Sequence, residues 1–144
     1  MATVHLHAAA SPERIFAVAS DPWRYPKWVI GAKKVRGVDE DWPRPGSRFH
    51  HCFGLGPASV DDSTVLEEIE PNRKLVLRVR ARPTGVGRVE LDLRDDGAGG
   101  TDIEMTEHPL AGRSNHWDAR VRDALVGIRN RLSLRRLARL ATAP

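Results

Sequence analysis

The chain has 144 residues, 40% of them apolar and 29% charged, and a net charge of +4. That length and composition point to one domain with its own core and exclude a disordered chain. The single cysteine, Cys52, excludes an internal disulfide and fits a reducing compartment. No run approaches the roughly 18 apolar residues of a membrane span. The opening MATVHLHAAASPE has neither the basic start nor the sustained apolar core of a secretion signal. The expectation is a cytoplasmic protein.

In chain order, TVHLHA alternates Val4 and Leu6 against His5 and His7, as a strand with one wet face does. Ser11 then stands as an N-cap, with Pro12 at the first helical position and Glu13 in the first turn. The helix PERIFAVAS stops before Asp21-Pro22. The stretch DPWRYPKWV gathers Trp23, Tyr25 and Trp28 between Pro22 and Pro26, so it predicts a second, short helical turn. Pro43, Pro45, Pro57, Pro71, Pro83 and Pro109 punctuate the middle of the chain, and strands should lie between them. SRFHHCF and SVDDSTVLEEI read as strands with weak alternation. KLVLRVRA puts Leu75, Leu77, Val79 and Ala81 on one face, and RVELDLR does the same for Val89, Leu91 and Leu93. DDGAGG is a turn into TDIEMTEH.

From about Ser114 the pattern becomes helical. Trp117, Val121, Ala124, Leu125, Ile128 and Leu132 form one stripe, expected to face the sheet. Beyond Ser133 a new stripe of Leu134, Leu137, Ala138 and Ala141 begins out of phase with the first. Residues 134–144 therefore read as a basic extension of the last helix that the folded domain can lose, with a leucine patch suited to a homodimer contact. Residues 113–144 hold eight arginines against Asp118 and Asp123, so the basic character is local. Strands in a run beside segregated helices mean α+β, and a single long helix is most simply gripped by a curved antiparallel sheet.

Parity selects the candidate site. Phe49, His51 and Phe53 share a strand face, as do Ile103, Met105 and Glu107; Asp62 and Thr64 go with Val60 and Leu66. An acid and a histidine facing an apolar interior are candidate proton-transfer groups, so His51 and Glu107 are the catalytic candidates. His5 and His7 fall on the solvent face without a third ligand, and no metal site is expected. GLGPAS lacks the last glycine of a dinucleotide loop, and no cofactor is expected. The terminal arginines have no interleaved aromatics, and nucleic acid is not the expected partner.

The order of elements, with Ser11, Pro12, Ile15 and Phe16, then Asp21, Pro26 and Trp28, resembles the START-like superfamily that includes the birch-pollen allergen. Its bacterial polyketide cyclase/dehydrase branch is the nearest match. Gly46 in PGSRF, and Pro71, Arg73 and Leu75 in EEIEPNRKLVLR, extend the likeness over nearly the whole chain. The resemblance implies one domain over residues 1–144 with the helix-grip fold, two short helices after the first strand, and a cavity between sheet and long helix. The expected ligand is a hydrophobic or amphipathic small molecule, such as a lipid, a quinone or a polyketide-like compound. Its expected contacts are Trp28, Phe49, His51, Phe53, Thr64, Leu77, Val79, Leu91, Met105, Glu107, Trp117, Val121 and Leu125. The alternatives are a polyketide cyclase or dehydratase, and an interaction module acting through the basic helix.

Overall fold

The computed structural model describes the chain except for residues 55–56, 82–84, 112–118 and 144. Trp117 and part of GLGPAS lie outside the described residues.

Seven antiparallel strands form one sheet in the order β1-β7-β6-β5-β4-β3-β2. They are β1 (Ala2–Ala8), β2 (Ala32–Val38), β3 (Arg48–Phe53), β4 (Val60–Glu70), β5 (Lys74–Ala81), β6 (Gly85–Asp95) and β7 (Thr101–Ala111). Strands β2 to β7 follow one another as a meander, and β1 returns to pair with β7. The period-2 faces are as expected: Leu75 pairs Leu91, Leu77 pairs Val89, and Leu91 pairs Met105. All lie on one apolar face, with Val4 opposite Met105 and Leu6 opposite Ile103. Strand β2 is an addition to the sequence reading. Its bulges near Lys34 and Val35 break the alternation that would have marked it. Its exposed Lys33, Lys34 and Arg36 suit an edge strand, where charge discourages further pairing.

Between β1 and β2 come α1 (Pro12–Ala19), a 3-10 turn (Pro22–Arg24) and α2 (Tyr25–Trp28). The Ser11 hydroxyl oxygen accepts the Arg14 N–H at 3.3 Å, and Asp21 accepts the Trp23 N–H at 3.0 Å, so α1 and the 3-10 turn each start on a side-chain cap. Helix α1 buries Ile15, Phe16, Val18 and Ala19 in the core.

Helix α3 runs unbroken from Ala119 to Thr142 and corrects the reading of the last helix. The stripe expected to face the sheet faces outward: Val121, Leu125, Ile128 and Leu132 are 49%, 48%, 59% and 43% exposed. The side turned to the protein carries Gly127, Asn130, Ser133, Leu134, Leu137 and Ala141; a Cβ on Gly127 would meet Val4 at 4.0 Å. Leu134 and Leu137 are fully buried, so residues beyond Ser133 belong to the core and offer no leucine patch for self-association. The reason is the close approach that small and polar residues permit. Ser133 is itself the anchor, its hydroxyl oxygen accepting the Ile30 N–H at 3.1 Å, and Arg14 donates to the Ala143 carbonyl at 2.8 Å.

Two substitutions on α3 separate the alternatives. Leu137→Ala should cost about 2–5 kcal/mol, as buried leucine truncations do. Ile128→Ala should stay within about 0.5 kcal/mol. Urea unfolding of both variants measures the difference. A chain cut after Ser133 should lose its cooperative transition.

Candidate functional site

Tyr25 and Trp28 are three residues apart on α2, which puts both on one face of a single helical turn. That face lies over β3. The Tyr25 ring centre stands 4.9 Å from Phe49, 5.8 Å from Trp28 and 6.5 Å from Phe53, all edge-on, and it stacks on His51 at 5.9 Å. Phe53 meets His51 edge-on at 4.6 Å, and Trp42 meets Phe49 at 5.2 Å. Three aromatic rings, Tyr25, Phe49 and Phe53, thus meet one imidazole, with Trp28 packed behind Tyr25 and Trp42 behind Phe49. Edge-to-face pairs place the positive ring edge on the negative face.

Inside this apolar shell the chain keeps a line of polar groups. Strand register sets His51 opposite Asp62 and Phe49 opposite Thr64. His51 and Thr64 are fully buried, and their Nε2 and Oγ1 atoms are 2.9 Å apart. The Tyr25 hydroxyl also hydrogen-bonds Thr64. Burial holds the Tyr25 phenol well above its ordinary pKa, so it remains neutral. Asp62 is buried and pairs with Arg80. At the other end of the interior, Glu107 accepts from Arg129 at 2.6 Å and from the Asn130 amide at 3.3 Å. The Arg129 and Glu107 charges both act on Tyr25.

Two buried atoms in this region lack a hydrogen-bond partner of proper geometry among the described residues: Trp28 Nε1 and His51 Nδ1. The contrast with Trp42 is direct, since its Nε1 donates to the Ser20 carbonyl at 2.9 Å. A buried polar atom left unpaired costs about 1–3 kcal/mol. Desolvation lowers the His51 pKa to about 4, against the weaker pull of Asp62 and the Ser63 backbone toward the charged form. The imidazole is therefore neutral at pH 7.

The expected contact residues divide into three sets. Trp28, Phe49, His51, Thr64, Leu77, Leu91 and Met105 are buried in the core, and Phe53 and Val79 pack against it. Glu107 is half-buried in its ion pair. Val121 and Leu125 sit on the outer side of α3, away from this interior. Tyr25, absent from the expected contacts, sits at the centre of the site, whereas Trp23 is exposed. Asn130 and Trp42 were not expected at all. The Tyr25–Trp28 spacing was the available signal for Tyr25. Trp42, between an acidic run and Pro43, carried none.

A separate concavity lies elsewhere. About 1100 Å³ in volume, it opens beside α1 and the β4–β5 turn and is lined by Glu13, Asn72, Arg73, Lys74, Asp92 and Glu104 among others. None of Tyr25, Trp28, His51 and Thr64 borders it. Its histidines are engaged with acids: His7 Nε2 lies 2.7 Å from Asp96 and His5 lies 3.7 Å from Glu104. The described residues contain no cluster of three or more His, Cys, Asp and Glu side chains able to hold a metal ion.

The buried imidazole makes stability pH-dependent in a definite direction. The unfolded chain protonates His51 near 6.5, whereas the folded chain does so near 4. Between these values the unfolded state binds more protons, so stability falls as pH is lowered from 6.5 to 4 and is not lost further below that. The full effect is on the order of 3 kcal/mol. Urea midpoints at pH 7 and pH 4 should show this loss in the wild type and lack it in His51→Asn. Equal losses in both would mean that His51 titrates normally.

Comparison with known proteins agrees with this architecture. A family model described as polyketide cyclase/dehydrase and lipid transport matches residues 1–142. Among solved structures, a protein from Chromobacterium violaceum is 19% identical, with a TM-score of 0.75 and 100% of each chain covered. A conserved protein from Geobacillus kaustophilus is 15% identical, with a TM-score of 0.76 over 96% of this chain and 93% of that one. BexL, a di-domain ARO/CYC protein from the BE-7585A biosynthetic pathway, is 13% identical, with a TM-score of 0.73. This chain is covered over 95% of its length and corresponds to 44% of BexL. At these identities the likeness is one of fold. No curated protein matches by sequence. With the family pattern running through both the first strand and the last helix, the chain belongs to the polyketide cyclase/dehydrase and lipid transport family.

Proposed function

We propose that the protein binds a hydrophobic or amphipathic small molecule between the sheet and the helices α2 and α3. The observation that carries this reading is the pair of unsatisfied buried atoms, Trp28 Nε1 and His51 Nδ1, set in an aromatic and aliphatic wall. Trp28 Nε1 can only donate, so the ligand needs an acceptor there, such as a carbonyl or hydroxyl oxygen. The neutral His51 Nδ1 donates or accepts according to its tautomer. Leu77, Val79, Leu91 and Met105 provide an apolar bed for the rest of the molecule. A lipid, a quinone or an aromatic polyketide meets this description. The cytoplasm is the setting that accords with a free, buried Cys52.

A second reading is turnover of a polyketide-like substrate by cyclisation or dehydration. It is favoured by the neutral His51, whose Nε2 is held by Thr64 while Nδ1 remains available to a reacting group. Glu107 would then be the second ionisable group, its orientation set by Arg129 and Asn130. In an enzyme, His51→Asn and Glu107→Gln should each lower turnover by about 10²–10⁴-fold with ligand affinity preserved. In a carrier they should change affinity alone.

Binding itself is tested by titrating a polarity-sensitive apolar dye while recording tryptophan emission. Saturable binding at micromolar dye should quench or shift emission, and Trp28→Phe should remove most of that response. No saturable binding at these concentrations would mean a fully packed core and would overturn the reading.

A further inference from the structure

Helix α3 buries one side and leaves an apolar stripe on the other. Val121, Leu125, Ile128 and Leu132 follow the 4-3-4 spacing of one helical face, and each is close to half exposed or more. The stripe is about 16 Å long. Isolated apolar residues on a surface need no explanation, but four in one row on one helix do. None of them takes part in the buried core cluster.

The charges around the stripe indicate what covers it. Arg135 and Arg136 are exposed and flank its C-terminal end on opposite sides. Arg139 takes the next position along the stripe itself, and Arg131 borders it one turn earlier. Asp123 is the only acidic residue on α3, and its carboxylate is occupied by the Met1 ammonium at 3.2 Å from each oxygen. A second copy of the helix laid on this stripe would therefore bring arginines against arginines with no acid to answer them. An apolar strip bordered by arginines fits a surface with negative charge outside and hydrocarbon beneath.

We infer that the outer side of α3 docks the protein on an anionic phospholipid membrane, lying in the interface with Val121, Leu125, Ile128 and Leu132 among the acyl chains and the arginines at the phosphates. The helix lies on the membrane and does not span it; no helix among the described residues is long and apolar enough to cross one. The docking surface is opposite the buried interior, so it stands independently of whether that interior holds a ligand.

The test is sedimentation of the full chain with vesicles of phosphatidylcholine alone and of phosphatidylcholine with phosphatidylglycerol, at low and high salt. Binding should require the anionic lipid and weaken with salt. Ile128→Asp should reduce it at least about tenfold, and replacing Arg135, Arg136 and Arg139 by Gln at least about 100-fold. All four side chains are exposed, so melting curves should remain close to wild type. Dye binding in the interior should be unchanged, which separates this proposal from the function above. Absence of binding to anionic vesicles at low salt would overturn it. So would binding that survives Ile128→Asp, or a solution dimer that Ile128→Asp dissociates, since a second copy would then own the stripe.

Discussion

One helix has to cover the concave face of a seven-stranded sheet, and the rest of the structure depends on how it is fastened there. The fastening is polar and apolar at once. Leu134 and Leu137 are buried in the C-terminal half of α3. Ser133 ties the same stretch to the end of α2, and Arg129 with Asn130 ties it to Glu107 on β7. Because Ile30 follows α2 by two residues, the Ser133 contact also fixes where Tyr25 and Trp28 come to rest. The aromatic shell around His51 is thus a consequence of the helix seam as well as of β3.

That shell holds more polarity than stability alone favours. Thr64, His51 and Asp62 stand where apolar side chains of similar volume would avoid desolvation. Most of the cost is recovered inside the protein: Tyr25 and His51 meet at Thr64, and Asp62 meets Arg80. The remainder, at Trp28 Nε1 and His51 Nδ1, finds no partner of proper geometry among the described residues. Unsatisfied buried groups are few in folded proteins, and a catalytic role or a bound molecule is among the physical reasons for one. In the charged cleft beside α1 the histidines already have acidic partners, and the polar groups meet bulk water.

Every strand except β2, and the first two helices, were legible in the sequence because each obeys a local rule. Leu75, Leu77 and Val79 alternate, Ser11-Pro12 caps, and DDGAGG turns on Asp95 and Asp96, whose carboxylates accept the backbone N–H groups of Gly97, Ala98 and Gly100. Parity likewise turned His51 and Thr64 inward. Strand β2 was illegible because two bulges erase its period. The facing of α3 was misread for a different reason. Periodicity identifies an apolar stripe but not what it meets, and here the inward side carries Gly127, Asn130 and Ser133 beside Leu134 and Leu137, while Val121, Leu125, Ile128 and Leu132 point away. Glycine and serine at a helix–sheet contact signal close approach, a packing constraint that hydrophobicity alone does not register.

On the proposed function, Trp28 Nε1 and His51 Nδ1 would hydrogen-bond an amphipathic molecule held between the sheet and the helices. Native mass spectrometry of freshly purified protein tests it most directly. The account predicts a population heavier than the 16.0 kDa chain by one small molecule, released intact on gentle activation. A spectrum containing only the bare chain, unchanged after incubation with excess lipid, quinone and aromatic polyketide mixtures, would contradict it.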